Sequence, residues 1–427
     1  MNIERLYDFF LQYPSIQTDS RKIKAGDLFF ALKGPNFNGN AFAKQSLDAG
    51  AAYAIVDEPS PIKDDRIIQT NDVLQTLQQL AKHHRLQFKI PFIAITGSNG
   101  KTTTKELVHV VLNTGFKTYT TQGNLNNHIG IPLTILQVKN DAEMAVIEMG
   151  ANHRGEIASY CQYTLPTHGI ITNCGKAHLE GFGGIEGVKK GKGELYDFLR
   201  EKGGSAFAMW DYSYLREMSK GISKIIKYGT ADADVTGTVI QAEPFLKVAM
   251  TKGVSFSEVN TQLVGDYNLP NVLVAIAVGV HFGVTDEKIK KAIEEYVPSN
   301  SRSQLVNWNS NHIILDAYNA NPSSMKLAIE NFAHLHADNK FLLLGGMAEL
   351  GNESLTEHQS IIDLIQQFQW KEVALVGGDF QKINHPFRKF SNSLEAAKWL
   401  KELNLKDAYL LVKGSRSMQM EKVLEQA

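Results

Sequence analysis

Hydrophobic positions recur along this chain in two periods. Short apolar runs bounded by glycine, proline or asparagine predict buried strands, and apolar residues three and four apart predict helices. Runs at 27–32 and 53–56 predict strands, 41–49 a helix and 73–86 a longer helix. After Pro91 the run Ile93-Ala94-Ile95 predicts a strand, and Leu107, Val108, Val111 and Leu112 continue a helix from Lys105 onward. Strands follow at 144–148 and 169–172, and Leu195, Phe198 and Leu199 carry a helix on from Lys192. Strand-like segments lie near 225–264, then an apolar helix at 272–280 and another at 286–296. Val297-Pro298-Ser299-Asn300-Ser301 reads as a linker. Beyond it strand and helix alternate strictly: 312–315 with 323–335, 341–344 with 356–368, 373–376 with 394–403, and 409–412 with 418–424. That alternation predicts a parallel sheet covered by helices, a Rossmann-like domain.

Length sets the number of cores. At 427 residues the chain exceeds one ordinary core, and the breaks in pattern predict three α/β domains, at 1–85, 86–297 and 298–427. The central one carries a parallel sheet plus a smaller β region. With 44 basic and 45 acidic side chains no global field points to nucleic acid or to an anionic membrane, so an anionic substrate must be met locally. Cys161 and Cys174, the only cysteines, argue against a disulfide framework and for a reducing compartment. Without a second C-x-x-C, small buried thiols are favoured over a metal pair. The N-terminus Met1-Asn2-Ile3-Glu4-Arg5 is charged and lacks an apolar signal region, and the apolar helix at 272–280 is too short to span a bilayer. A cytoplasmic protein without membrane insertion is expected.

Chemistry concentrates first at Thr96-Gly97-Ser98-Asn99-Gly100-Lys101-Thr102-Thr103-Thr104. Strand, glycine loop, Lys-Thr and helix together build a phosphate cradle. Glycines let backbone N–H groups close on phosphate oxygens, the helix start adds its positive dipole end, Lys101 reaches the β- and γ-phosphates, and Thr102 offers a hydroxyl to Mg²⁺. The loop is a shortened one, G-x-x-G-K-T, because Ile95 stands where the longer pattern has its first glycine. An ordinary glycine turn is the plainer alternative. The strand before and the helix after favour ATP.

Other candidates sit at strand ends. The strand at 144–148 ends in Glu148, which in a parallel sheet lies on the ligand side and suits Mg²⁺, although such a Glu can also simply open a loop. Glycines bracket His178 in a loop after the next strand; a lone histidine is more often structural, so a ligand role requires Glu148 and the phosphate loop beside it. Lys189, Lys190 and Lys192 read as a solvated basic face, and an ammonium cannot bind metal, so a metal role for Lys192 requires its carbamate. The loop at 123–132 is dense in amides from Asn124, Asn126 and Asn127. Asn268 is a candidate N-cap, with Pro270 in the first turn, leaving Asn271 to face a base. Arg302, Asp316, Tyr318, Asn319, Asn321, Lys413 and Arg416 fall at strand ends or in the linker. Gly345-Gly346 and Gly377-Gly378 follow strands, but no G-x-G-x-x-G appears, so no dinucleotide site is read. In the first domain Thr18-Asp19-Ser20-Arg21 and the loop 33–40 suit a phosphorylated or nucleotide-like ligand as well as they suit turns.

With these residues in place the chain resembles the Mur ligases, over all three domains in order. The likeness rests on the phosphate loop through Lys105-Glu106, on 123–132, His178-Leu179-Glu180, Lys192-Gly193-Glu194 and Tyr318-Asn319-Ala320-Asn321-Pro322-Ser323-Ser324-Met325. Met347-Ala348-Glu349-Leu350-Gly351 and Lys413-Gly414-Ser415-Arg416 look like the branch that adds D-alanyl-D-alanine to UDP-N-acetylmuramoyl-tripeptide. The resemblance implies that Lys101 holds the ATP phosphates, with Gly97, Ser98, Asn99, Gly100 and Thr103 in the same loop. It implies that Thr102 and Glu148 bind one Mg²⁺, and that His178 binds a second, supported by carbamylated Lys192. Asn271, Arg302, Asp316 and Tyr318 would contact ATP, and Ser20 and Arg21 the uridine diphosphate. The amide-rich loop, with Asn319 and Asn321, would bind substrate, and the last domain would present the dipeptide. The chain departs from the family at Asn38 and Asn40, where an Asp and a His are frequent, at Gly346, often Asp, and at Leu315, often acidic. The first pair bears on the uracil and diphosphate contacts and leaves the ATP chemistry untouched.

These readings predict a monomeric ligase that makes an amide through an acyl phosphate, releasing ADP and phosphate. Its nearest rivals are relatives that add a single amino acid to a UDP-sugar peptide or glutamate to a folate; the Asp-Asn-Pro-Arg motif of the third-residue branch is absent. A conformational P-loop ATPase would more often pair a full-length loop with a strand-terminal Asp. A non-enzymatic uridine-nucleotide binder would not need Lys101, Thr102 and Glu148 together.

Overall fold

A computed structural model describes residues 2–59, 63–299 and 301–425. Met1 of the N-terminal stretch and Asn300 of the expected linker lie outside the described residues. The fold is α/β throughout. The N-terminal strands Ile16–Gln17, Leu28–Phe30, Tyr53–Val56 and Ile67–Gln69 form one parallel sheet in that order. The middle of the chain contributes nine strands to one sheet, ordered Glu258–Asn260, Lys247–Lys252, Val235–Gln241, Lys224–Gly229, Ser205–Met209, His168–Ile171, Phe92–Thr96, Met144–Glu148 and Thr118–Thr120. The C-terminal sheet runs Gln304–Trp308, Asn311–Asp316, Tyr409–Lys413, Lys340–Gly345, Glu372–Val376 and Arg388–Phe390.

By packing, the chain divides into two compact units. One comprises Met1–Ala94, Phe116–Gly150 and Glu156–His168; the other comprises Ile95–Gly115, Ala151–Gly155 and Gly169–Ala427.

In the first unit Phe29, Ala31, Leu47, Ala54 and Val56 form a small core on the N-terminal sheet. Asp72 starts the helix Val73–Arg85 by accepting from the N–H of Gln75 at 2.7 Å, which satisfies one of the four unpaired donors of a helix start. At the helix end Arg85 is buried. Its guanidinium donates to the carbonyls of Thr164 (2.9 Å), Phe88 (2.7 Å) and Leu165 (3.1 Å) and lies 3.8 Å from the Phe92 ring centroid. A planar guanidinium can donate in its own plane to three carbonyls while its face lies against a ring, which a lysine ammonium cannot do.

In the second unit the helix Leu269–His281 is buried nearly all round, as an apolar helix without a polar face must be. Its predecessor Asn268 stands at the N-cap position but makes no capping bond. Its amide donates to Val264 O (2.9 Å) and its Oδ1 accepts from Asn271 (2.8 Å), which corrects the expected cap. The expected β region is present as Val235–Gln241, Lys247–Lys252 and Glu258–Asn260, paired antiparallel. The C-terminal sheet is parallel at its centre, and its core joins Ile313, Phe341, Leu343, Ala374 and Leu410. Two strands lie beyond the predicted alternation: Gln304–Trp308, antiparallel to Asn311–Asp316, and Arg388–Phe390, parallel to Glu372–Val376. Both are edge strands, half-buried or exposed along their length. Neither needs the continuous apolar run that marks a central parallel strand.

A candidate nucleotide-handling site

Within the second unit the phosphate loop is built as the sequence predicts. A Cβ at Gly97 would stand 1.9 Å from Thr172 Oγ1, and one at Gly100, where φ is 79°, would stand 2.7 Å from Asn271 Oδ1. Only glycine fits both places. Gly100 leads into the helix Lys101–Leu112, whose start has no side-chain cap. Its first N–H groups and dipole end are therefore in the arrangement that receives phosphate. Lys101 Nζ donates to Gly97 O (2.7 Å) and Ser98 O (3.2 Å), which folds the ammonium over the loop. Thr102 is buried and Thr103 partly so.

The loop is held from the adjoining segment at 172–175. Ser98 N donates to Asn173 O (2.9 Å), Asn99 N to Asn173 Oδ1 (3.0 Å), and Thr172 Oγ1 to Asn99 O (2.6 Å). Ser98 Oγ donates to Gly175 O (2.9 Å) and accepts from Gly175 N (3.0 Å). Behind the loop Asn271 is buried, with Oδ1 accepting from Thr104 Oγ1 (3.0 Å) and Nδ2 engaged by Asn268. Its side chain thus braces the loop helix.

The C-terminal part of the same unit reaches this loop. Asn321 Nδ2 donates to Asn99 Oδ1 (2.7 Å), while Asn321 Oδ1 caps the helix Pro322–His334 through Ser324 N (2.9 Å). Ser323 Oγ accepts from Lys176 N (2.9 Å), and Lys176 Nζ pairs with the buried carboxylate of Glu357. The Arg302 guanidinium stacks on Tyr318, 3.7 Å from its ring centroid. Asp316 is neutralised by Lys413, itself 1% exposed, and also accepts from Ser303 N (3.2 Å). Asn319 Oδ1 accepts from Ala320 N (2.9 Å) and Arg416 N (3.4 Å).

His178 heads the short helix Leu179–Phe182 in the left-handed region, at φ 52° and ψ 39°. Its Nδ1 meets the carboxylate of Glu349, and the imidazole beside it holds that carboxyl below the usual range. Glu349 belongs to a loop anchored by His358, whose Nε2 accepts from Met347 N (3.0 Å) while its Nδ1 donates to Ser354 O (2.7 Å). Lys192, 1% exposed, donates to Ala151 O (3.0 Å) and lies 5.0 Å from the Phe182 ring centroid. Burial pushes the nearby Cys174 thiol up to about 12.

Within the first unit Glu148 is 1% exposed; Asn126 Nδ2 donates to its Oε1 (2.8 Å) and Thr121 Oγ1 accepts from its N–H (2.9 Å). The amide loop ends earlier than the sequence suggests, because the helix Gly130–Leu136 begins inside it. Asn127 Oδ1 shapes that start by accepting from Ile129 N (3.1 Å) and Gly130 N (2.9 Å), and Asn124 is exposed. Ser20 and Arg21 lie in a 3-10 turn capped by Asp19. The Arg21 guanidinium grips Asp19 through both carboxylate oxygens (2.8 and 2.9 Å) and holds that carboxyl down at about 2. Asn40 bonds Asp57 (2.8 Å) and Asn38 bonds Glu58 (2.9 Å), so each amide meets a carboxylate, and the Asp frequent in the family at position 38 would oppose one.

Sequence reasoning missed Thr172, Asn173, Ser323, Glu349 and Glu357. Thr172 and Asn173 were visible as polar residues closing an apolar strand; Glu349 stood in a family motif without a role.

Three family models match the chain: "Mur ligase family, catalytic domain" over 12–87, "Mur ligase middle domain" over 95–279, and "Mur ligase, glutamate ligase domain" over 301–416. The UDP-N-acetylmuramoyl-tripeptide--D-alanyl-D-alanine ligase of Bacillus subtilis is 33% identical, covering 96% of this chain and 92% of that protein. The enzyme of the same name from Escherichia coli is also 33% identical, with the same coverage. Among solved structures, MurF from Acinetobacter baumannii superposes with a TM-score of 0.88 at 31% identity, over 96% of this chain and 92% of that one. MurF ligase from Thermotoga maritima in complex with ADP gives 0.88 at 26% identity, over 97% of each chain.

The His358 contacts predict a pH dependence. Burial lowers its pKa, against the opposing pull of Asp379 and Glu357 and with Lys382 nearby. Below the ordinary histidine value of about 6.5 the unfolded chain takes up a proton that the folded ring refuses. This contribution is thus whole above that pH and is lost as pH falls, by at most about 1.4 kcal/mol per pH unit. Urea unfolding at a series of pH values should show a shallower acid slope for His358→Gln than for the parent. Equal slopes would remove His358 from the account.

Proposed function

Since the chain belongs to the Mur ligase family, we propose that it joins D-alanyl-D-alanine to UDP-N-acetylmuramoyl-tripeptide with ATP, through an acyl phosphate, in the making of peptidoglycan precursors. The observation that carries this reading is the uncapped, glycine-bound phosphate loop with Lys101 folded over it, in a chain that dipeptide-adding ligases match along 96% of its length. The working division follows the sequence pattern: 1–85 for the UDP handle, 86–297 for ATP and 298–427 for the incoming dipeptide. It is supported by three family models, of which two fall inside their stretches and the first overruns its own by two residues.

The chemistry has two displacements. An oxygen of the tripeptide's terminal carboxylate attacks the γ-phosphorus, the bond to the β-γ bridging oxygen breaks, and ADP leaves. The dipeptide amine then attacks the acyl carbon, the C–O bond to phosphate breaks, and the proton lost by the amine is balanced on the departing phosphate. Both partners of the first displacement are anions. The loop N–H groups and the Lys101 ammonium offset that repulsion and receive the charge of the transferring phosphoryl group. Ser98, Asn99, Thr103, Asn271, Arg302, Asp316 and Tyr318 complete the ATP contacts in this reading; Arg302 and Tyr318 form a stacked pair suited to a flat base or an anion. Ser20, Arg21, Asn124, Asn126, Asn127, Asn319 and Asn321 are assigned to the other substrates.

The donor set suits Mg²⁺. Among the described residues no group of three or more His, Cys, Asp or Glu side chains is disposed to hold a metal, and Mg²⁺ ordinarily takes one or two carboxylates beside substrate phosphates. Thr102 and Glu148 would hold one ion, and His178, with Lys192 as its carbamate, a second. Bound there, Mg²⁺ would neutralise phosphate charge. As an amine Lys192 donates to Ala151 O and cannot coordinate; carbon dioxide added to Nζ would convert it into an oxygen donor. No helix among the described residues is long and apolar enough to cross a membrane. A cytoplasmic location fits two buried cysteines that form no disulfide; the chain is read as a monomer, which sedimentation to a dimer mass would overturn.

Phosphate release from ATP with UDP-muramoyl-tripeptide should require D-alanyl-D-alanine and fall at least about a hundredfold in Lys101→Ala, on the scale of a lost phosphoryl-stabilising cation. Turnover with a single amino acid in place of the dipeptide would sink the branch assignment; release without any amine would sink the ligase. For Lys192, carbon-13 bicarbonate should give a carbamate resonance that Lys192→Ala abolishes, and short carboxylates should restore activity to that variant. An unmodified amine under bicarbonate would refute the carbamate.

A further inference from the structure

We propose that Glu349 is a positioning residue of this site, holding the His178 imidazole through Nδ1 so that Nε2 is left as the nitrogen that receives a ligand. The inference rests on the reading of His178 as a metal-holding side chain.

Two loops far apart in sequence meet here, and both are bent to do so. His178 has φ 52° and Glu349 has φ 61°, the left-handed region that non-glycine residues enter at a cost. The contact that results joins the buried Nδ1 of His178 to the Glu349 carboxylate. Beside it the backbone N–H of Glu180 donates to Glu349 O (3.4 Å), so the loops are tied at main chain as well as side chain.

The Glu349 loop is fixed from behind. Gly346 N donates to Val376 O (2.9 Å), and Gly346 O accepts from Ser415 Oγ (2.6 Å) and Ser415 N (3.2 Å). Met347 N is held by His358, which is 0% exposed, and Met347 and Leu350 are buried on either side. The only long side chain between those two buried anchors is Glu349, which is half-exposed. A loop pinned this heavily, carrying one carboxylate onto one imidazole nitrogen, has the form of the outer partner that orients a metal-binding histidine. Loss of such a partner typically costs 10- to 100-fold in metal affinity or activity. A carboxylate on Nδ1 also selects the tautomer whose lone pair is on Nε2.

The test begins on the metal-free protein. At a pH where the ring is neutral, nitrogen-15 spectra of His178 should show a protonated Nδ1 and a bare Nε2, and Glu349→Ala should shift the ring toward the other tautomer. Kinetically, Glu349→Ala should lower kcat about tenfold or more, with KM for ATP and for the UDP substrate within about twofold, and Glu349→Gln should restore most of the loss through its amide oxygen. In a His178→Ala background Glu349→Ala should cost nothing further. An unchanged tautomer, or the same loss in both backgrounds, would overturn the inference. A fully active His178→Ala would instead overturn the metal reading on which it rests. Should Glu349→Ala fail to fold, Glu349→Asp carries the comparison, because a carboxylate withdrawn by one methylene should lose activity where Glu349→Gln does not; equal activity in the two would count against the inference.

Discussion

The shape of the phosphate loop is imposed by the segment that follows the strand His168–Ile171. Thr172, Asn173 and Gly175 supply hydrogen bonds to Ser98 and Asn99 from both main chain and side chain. They approach so closely that position 97 admits no side chain. Each bond is worth about 1 kcal/mol net, but an unmade buried one costs more, so the set defines the loop more strongly than its sum suggests. A preorganised cradle is what phosphoryl transfer asks of a protein, since positioning and charge stabilisation supply most of the catalysis.

The same segment links the loop to the rest of the second unit. Lys176 and His178, a few residues on, are met by Ser323, Glu357 and Glu349, while Asn99 is met by Asn321. The phosphate loop therefore answers to two neighbours: the strand end that shapes it and the C-terminal helix start at Asn321 that touches its tip. Under the proposed function such a coupling is useful, because a reactive acyl phosphate must form where water is excluded and the amine is at hand. Glu349, from the C-terminal part of the unit, meets His178 in the segment that follows the loop-shaping strand end.

Much of this was legible in the sequence. The strand Met144–Glu148 and the alternation beyond residue 298 follow from apolar period, whereas the helix Lys101–Leu112 starts one turn before the apolar period that marks it from Lys105. Partners across long separations were not legible. Periodicity marks Asn271 as polar at a helix start but does not reveal its partners, Thr104, 167 positions away, and Asn268, through which its side chain braces the loop helix. Asn268 looked like a cap by residue type and turned instead to Val264 and Asn271. The edge strands Gln304–Trp308 and Arg388–Phe390 lacked the apolar run that only central strands need. Glu349 was legible as part of a motif, while its function depends on a loop conformation that no local pattern encodes.

The central claim, that a carboxylate of the UDP-linked tripeptide takes up the γ-phosphoryl group before the amine attacks, is tested most directly by oxygen transfer. With both oxygens of that terminal carboxylate replaced by oxygen-18, turnover with ATP and D-alanyl-D-alanine should release phosphate that carries one labelled oxygen and leave the other in the new amide. Phosphate free of label, with both labelled oxygens absent from it in every turnover, would contradict the acyl phosphate and the role assigned to the phosphate loop.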